Sequence, residues 1–394
     1  IFCQIHFSLK ISNMRYLFLF AIIPFLFSCG KTDDKGGFSG EIKLSIDTVM
    51  VDAGEEFLSL NYDLNFSSLS PDKSYLINFN PESQVAERID LNELKLVRKI
   101  QYEAEGPDGI GSLTASFSIL PNENLLFKNY MVYKVHDQKG KLVENLELEK
   151  IASDILGETN YYPLQVFRIK DNPTRVFVLT LHWENYSYSL IDFNLSERTY
   201  KEMPLPIFDK GRDYRLEILY NGNPAGGYGP SVYSSLENNR IYMTMNAFNE
   251  VHVFDLEKDS LYSKTWDSPL LGSKSTYKPP KEVEMTSGEL KEITRKAQED
   301  ISYKHLIWDD RKNVFYRFSE KKKFSEEINE YDENTVTGST LYLSVFDQDL
   351  NLLIESEIPE LTSLSSRYFV KDGAIWMYSN IDDELAFTRI NFVD

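Results

Sequence analysis

The stretch Glu105-Gly106-Pro107-Asp108-Gly109-Ile110-Gly111 sets two carboxylates among three glycines and a proline. Backbone amides freed by glycine, with the carboxylates of Glu105 and Asp108, have the make-up of a ligand loop. No Lys-Ser/Thr pair follows it and no βαβ pattern surrounds it, so it is not a phosphate loop. Glycine's access to left-handed angles and the fixed φ of proline describe a tight connection between two elements equally well. His182-Trp183-Glu184-Asn185-Tyr186 and the stretch from Tyr220 to Gly229, which includes Tyr228, mix aromatic rings with amides and carboxylates. Rings stack on the apolar faces of sugars while amides bond their hydroxyls, so a glycan or a peptide is the expected partner of such loops. Exposed connecting loops share the composition. Arg317, within Phe315-Tyr316-Arg317-Phe318, is expected either to pair with a carboxylate inside the fold or to face a channel.

Other chemistries lack their signatures. His136, His182, His252 and His305 are scattered, with no His-x-x-x-His spacing and no EF-type loop, so no metal or other cofactor is expected. His136 and His252 precede the same turn aspartate and read as strand-surface residues. Asp382-Asp383-Glu384 reads as a solvated hairpin turn. Gly37-Phe38-Ser39-Gly40 runs into Glu41 and breaks the Gly-x-Ser-x-Gly pattern of serine hydrolases. Lys371-Asp372-Gly373 lacks the spacing of a sialidase Asp-box and suits a hairpin with an Asp-Gly turn. With 61 acidic residues, a glycosidase-like carboxylate pair is not identifiable from sequence. The net charge of −19 argues against nucleic acid and anionic lipid as partners.

The elements that must position these residues are strands. Phe and Tyr number 25 and 24, polar turns recur, and apolar and polar residues alternate over short runs. One pattern returns six times, a strand closing on an apolar-Asp step: at Asp90, Asp137, Asp192, Asp255 and Asp347, and at Asn391 with Asn for Asp. An aspartate there can accept amides of its own turn. Two strands precede each copy and one follows, giving four antiparallel strands per unit and predicting an all-β, six-bladed β-propeller over 41–394. The last unit lacks a fourth strand, since the sequence stops at Asp394. The strand-like segment 42–51 is spare, and pairing the two closes the ring and protects its edge. Insertions are expected near 267–304 and 320–339. The first holds an amphipathic helix, with Thr286-Ser287-Gly288-Glu289 as a capping box and Leu290, Ile293, Ala297 and Ile301 on one face. The second, rich in charge from Lys321 to Gly338, reads as a mobile loop.

The N-terminal part carries an address. Met14, the expected start, and Arg15 precede an apolar run from Tyr16 to Phe27 that is interrupted by Pro24. Crossing a bilayer takes about 20 apolar residues, so the run reads as a secretory signal, with the residues before Met14 untranslated. Leu26-Phe27-Ser28-Cys29 resembles the bacterial lipobox, which makes Cys29 the expected lipidated N-terminus and membrane anchor. Residues 30–40 are a flexible tether. Its Lys31, Asp33 and Asp34 resemble the surface-export signal of Bacteroidota lipoproteins. The first 29 residues hold Lys10 and Arg15 and no acid, so the remainder is more acidic than the whole.

The EGPDGIG loop, the lipobox, the run from Trp308 to Phe318 and the closing Glu384-Leu385-Ala386-Phe387-Thr388-Arg389-Ile390 together resemble a Bacteroidota lipoprotein family. It is catalogued as domain of unknown function 4221 and is close to TolB-like six-bladed propellers. The resemblance implies the fold and an outer-membrane lipoprotein facing the periplasm or the cell surface, and it carries no catalytic residues. The expected function is ligand or protein binding at the envelope. The alternative is a propeller hydrolase, lyase or lactonase acting on a glycan or small metabolite. Three or more buried carboxylate, His or Arg groups meeting at the channel would favour the enzyme.

Overall fold

Short apolar runs closed by Asp, Asn and Gly turns become antiparallel strands in a computed structural model that describes residues 42–393, apart from 113, 115, 130, 131, 158, 159 and 329–333. The leader, Cys29 and the tether lie outside the described residues. Residues 38–394 form one compact unit. Four-stranded antiparallel sheets follow one another over 67–101, 116–145, 161–204, 232–265 and 302–357. The last sheet joins three strands of 368–393 to Lys43–Met50, which pairs with Glu384–Val393 in the register Ser45↔Asn391 and Val49↔Phe387. The chain is thus all-β and propeller-like.

The recurring aspartates lie at or just past the third strand of their sheets. Oδ1 of Asp137 accepts the amides of Lys139 and Lys141 at 2.8 and 2.9 Å, and Asp90, Asp255 and Asp347 do likewise. Asp192 departs from this pattern. Its strand runs on to Asn194, whose Oδ1 takes the turn amide of Glu197, while Asp192 pairs with Arg175 at 2.7 Å. Asn391 also lies inside a strand, its side-chain amide donating to Ser45 O at 3.4 Å.

Apolar clusters hold neighbouring sheets face to face. Phe79, Phe117 and Phe127 join the first and second sheets, and Phe177 and Phe254 the third and fourth. Leu76 and Ile89 of the first sheet pack against Trp376 and Phe387 of the last. Burying each such side chain contributes about 1.5–3 kcal/mol.

Several local expectations are corrected. The described residues of 321–338 are not loop: strands Val314–Ile328 and Asn334–Asp347 pair antiparallel there, with Lys321 opposite Thr340 and Lys323 opposite Gly338. A ladder needs only backbone partners, so charge on both faces does not forbid it. Tyr220–Gly229 is a hairpin, turning at Asn221 and Gly222, both of positive φ. Helix Glu289–Glu299 forms with Ile293 buried, but Gly288 in the left-handed region is its N-cap and no side chain caps it. Ser287 Oγ accepts the Glu289 amide instead, at 3.2 Å. Ile301 falls past the helix and packs with Leu271, Tyr303 and Tyr342. His136 and His252 are buried rather than on a strand surface, because adjoining segments cover them: Asp108 O meets His136 Nε2 at 2.9 Å, and Phe208 packs edge-on against His252 at 5.0 Å. An unforeseen insertion, 205–231, holds a 3-10 turn, Pro206–Tyr214, and the hairpin just described.

Candidate functional site

In each sheet the first strand is followed by a hairpin, so the ends at which these first strands begin gather the same kind of loop. Three insertions meet beside the starts of the fourth and fifth first strands, Val232–Glu237 and Ser302–Asp309. Leu216–Tyr220 pairs in parallel with Glu282–Glu284. Leu290 and Ile293 of the helix pack on Leu216 and Val283. Lys322 of the long hairpin reaches Gln298 at 3.0 Å. Together they border a half-open cavity of about 320 Å³ lined by Tyr214, Tyr228, Tyr277, Asp300, Lys304 and Glu320.

A second cavity, about 410 Å³, is bounded by first strands or their flanks from five of the six four-stranded sheets, which marks it as axial. Lys304 and His305, adjacent on one strand, line the cavity beneath the insertions and the axial cavity respectively. The polar groups of the axial cavity include Lys73, Glu237, His305, Arg367 and Tyr368. They keep some accessible surface because they line a hollow, yet protein surrounds them. His305 stacks on Tyr368 at 4.5 Å, and its Nδ1 lies 3.2 Å from the Tyr368 hydroxyl. Burial, with Arg367 and Lys304 nearby, pushes the imidazole down to about 4 and keeps it neutral at pH 7. Burial lowers Arg367 to about 10. Its Nε has no hydrogen-bond partner among the described residues, and no ion pair there includes it. Burial also raises Glu237 to about 7, against the opposing pull of Lys73. Glu237 has no ion-pair partner among the described residues, while Lys73 lies 3.6 Å from Asp310.

Of the residues singled out in the sequence, the structure brings Trp183 and Tyr228 to one groove and leaves Glu105, Asp108, His182 and Arg317 elsewhere. Glu105 is exposed. Asp108 holds the second sheet, its carboxylate accepting Lys141 Nζ at 2.9 Å and the Leu142 amide at 3.0 Å. The Lys141 hydrogen bond is the main reason its carboxyl lies below the usual range. His182 packs edge-on against Tyr161, with Nδ1 unpartnered. Trp183, 47% exposed, lines an open groove of about 600 Å³ with Tyr186, Arg215 and Tyr228. Arg317 neither pairs with a carboxylate nor lines the axial cavity. It is fully buried, donates to Asn249 and lies 5.0–5.2 Å from the rings of Trp266, Tyr303 and Phe346, an aromatic box that offsets part of its desolvation.

Sequence reasoning missed Lys73, Glu237, Arg367 and Tyr368. The available signal was their place on or beside the first strand of a unit, two strands ahead of each apolar-Asp step. It also missed Ser263, whose Oγ is 2.7 Å from His252 Nδ1, with Glu250 at 2.9 Å from Nε2 and Lys210 behind Glu250. That order of hydroxyl, imidazole and carboxylate can orient a base. Ser263 lies on an exposed outer strand and lines none of the three cavities described, so the network serves to satisfy a buried histidine. Among the described residues no group of three or more His, Cys, Asp or Glu could hold a metal, and no helix is long and apolar enough to cross a membrane.

A family model described as a domain of unknown function (DUF4221) matches residues 39–357. A search of the curated proteins finds no match. Among solved structures, a DUF4221 family member from Bacteroides vulgatus is similar over 90% of this chain and 99% of its own, with a TM-score of 0.62 and 17% identity. The Myceliophteria thermophila Cps50 (Swd1) β-propeller domain has a TM-score of 0.38 and 8% identity over 88% and 99% of the two chains. A luciferin-regenerating enzyme reaches 0.40 and 8% over 89% and 96%. The match over most of the described sheets, agreeing with the motifs in the sequence, establishes that this chain belongs to the DUF4221 family.

Proposed function

We propose that this protein is a six-bladed β-propeller, closed by strand Lys43–Met50, that binds a small polar ligand in its axial cavity while a lipid on Cys29 holds it at the outer membrane. Six four-stranded sheets, with the last packed on the first, support the blade count and the closure. A chain beginning at Glu55 would leave Glu384–Val393 as an open edge and is expected to aggregate or unfold without cooperativity; a stable monomer would refute closure. The anchor rests on the lipobox, and Cys29→Ala is expected to release the protein from the membrane fraction. Retention there would overturn it.

The observation that carries the binding reading is Arg367 in the axial cavity, its Nε without a hydrogen-bond partner among the described residues. A buried charge without a partner is costly, and ligand sites are where such groups persist. Thermal-shift screening of the purified chain against a library of polar metabolites is expected to find ligands whose effect disappears in Arg367→Met. A library without any stabilising compound would sink this reading.

An enzyme is the second reading, because a carboxyl, an imidazole and a guanidinium from three sheets line one cavity. Spacing argues against it. His305 lies beside Tyr233, 5.8 Å between rings, and Glu237 is four residues farther along that strand, about 13 Å at roughly 3.3 Å per residue. An acid and a base that far apart do not act on one bond. Turnover of a bound ligand, lost in Glu237→Gln, would reverse the preference.

A further inference from the structure

The axial cavity has two chemically different ends. At the start of its lining strands stand Arg367, the neutral His305 and the rings of Tyr233 and Tyr368. At their far end Glu237 shares the space with Lys73, whose charge is already engaged 3.6 Å from Asp310. Neither Arg367 nor Glu237 pairs with a described residue, one another included. One end therefore offers a guanidinium donor and the other a carboxyl acceptor, with Leu69, Leu164 and Val232 among the apolar side chains of the wall.

Resting on the binding reading above, we infer that the axial cavity takes an elongated dipolar ligand, with its carboxylate on Arg367 and its ammonium on Glu237. A guanidinium holds a carboxylate through paired N–H donors, an orientation that a point charge does not impose. Glu237 is the acceptor for the ammonium, with the Asp310 charge behind it offsetting Lys73. A ligand with one charged end would leave the opposite buried group unmatched, so both ends contribute to selection. The rise in the Glu237 pKa agrees with a carboxyl lacking a cationic partner in the empty cavity.

The test uses the purified chain and ω-amino acids of increasing length, from aminobutanoate to aminooctanoate, beside octanoate and octylamine, read by calorimetry. The longer amino acids are expected to bind at least about tenfold more tightly than aminobutanoate and than either singly charged analogue, a charge-assisted hydrogen bond corresponding to roughly 10–100-fold in affinity. Arg367→Met is expected to abolish the advantage over octylamine, and Glu237→Gln the advantage over octanoate. Arg367→Lys is expected to keep part of it. Thermal unfolding checks that each variant is folded, and Arg367→Met is expected to melt no lower than the parent because it removes a buried unpartnered charge. Octanoate binding as tightly as aminooctanoate would overturn the role of Glu237, and octylamine doing so would overturn that of Arg367. If none of these probes binds while a library compound does so through Arg367, the dipolar inference fails and cavity binding stands; if no compound binds at all, both fall.

Discussion

The EGPDGIG loop and the axial cavity both present glycine-framed or strand-borne charge, yet they use it in opposite ways. In the loop the polar groups of Asp108, Gly109 and Gly111 are taken up by neighbours: Asp108 by Lys141 and Leu142, Gly109 O by Lys134 at 2.5 Å, Gly111 O by Gln84 at 3.1 Å. Ile110 is buried beneath them. Around the cavity Arg367 and Glu237 have no side-chain partner among the described residues. A conspicuous motif here is a clamp between two sheets, and the charged groups with no partner among the described residues sit in inconspicuous sequence.

The largest effect should come from breaking the clamp. A Cβ at Gly109 would lie 2.6 Å from Ala104 O and 2.7 Å from Glu105 C, both backbone atoms that cannot swing aside. Gly109→Ala is expected to cost about 2–4 kcal/mol in urea unfolding, while ligand affinity in the surviving folded fraction stays unchanged. A shift smaller than that would mean the loop is not clamped as described.

A middle-sized effect belongs to the cavity and depends on pH. Glu237 has a folded pKa of about 7 against an ordinary 4.5. Below pH 4.5 both folded and unfolded forms are protonated and nothing is lost. Between about 4.5 and about 7 the unfolded chain releases its proton first, so stability falls as pH rises and then levels off. Relative to Glu237→Gln, the parent should therefore lose on the order of 1–3 kcal/mol across that window. His305, shifted the other way, is common to both proteins and cancels in the difference. A flat difference between pH 4 and 8 would show that Glu237 is well solvated.

Asp108→Ala should have the smallest effect, since the carboxylate is half-exposed: a modest drop in melting temperature, present above its ordinary pKa of 3.8 and fading as pH falls through the lower folded value. Ligand affinity should not change. Loss of binding in this variant would move the site from the axis to the loop.

Legibility in the sequence followed how local the cause was. The aspartate turns at Asp90, Asp137, Asp255 and Asp347 were readable because each carboxylate bonds amides two to four residues away. The partner strand for Glu384–Val393 was readable as a spare strand matched to a missing one, and the pairing at Lys43–Met50 is observed. The strand pairing within 321–338 was not, because a strand solvated on both faces carries no alternation of apolar residues. The burial of His136 and His252 was not either, because it depends on which remote segment lies over the strand.

Residue order alone determined strands, turns, an amphipathic helix and a family whose motifs span the chain, since these depend on near neighbours and on periodicity. Only the tertiary structure decided that Lys73, Glu237, His305 and Arg367, drawn from four sheets, share one cavity while Arg317 is sealed among three rings. Strand alternation states which two faces a side chain can choose between. The packing of one sheet on the next decides whether the chosen face meets a neighbouring core or the hollow at the axis, and with it whether a charge is neutralised within the protein or left for a ligand.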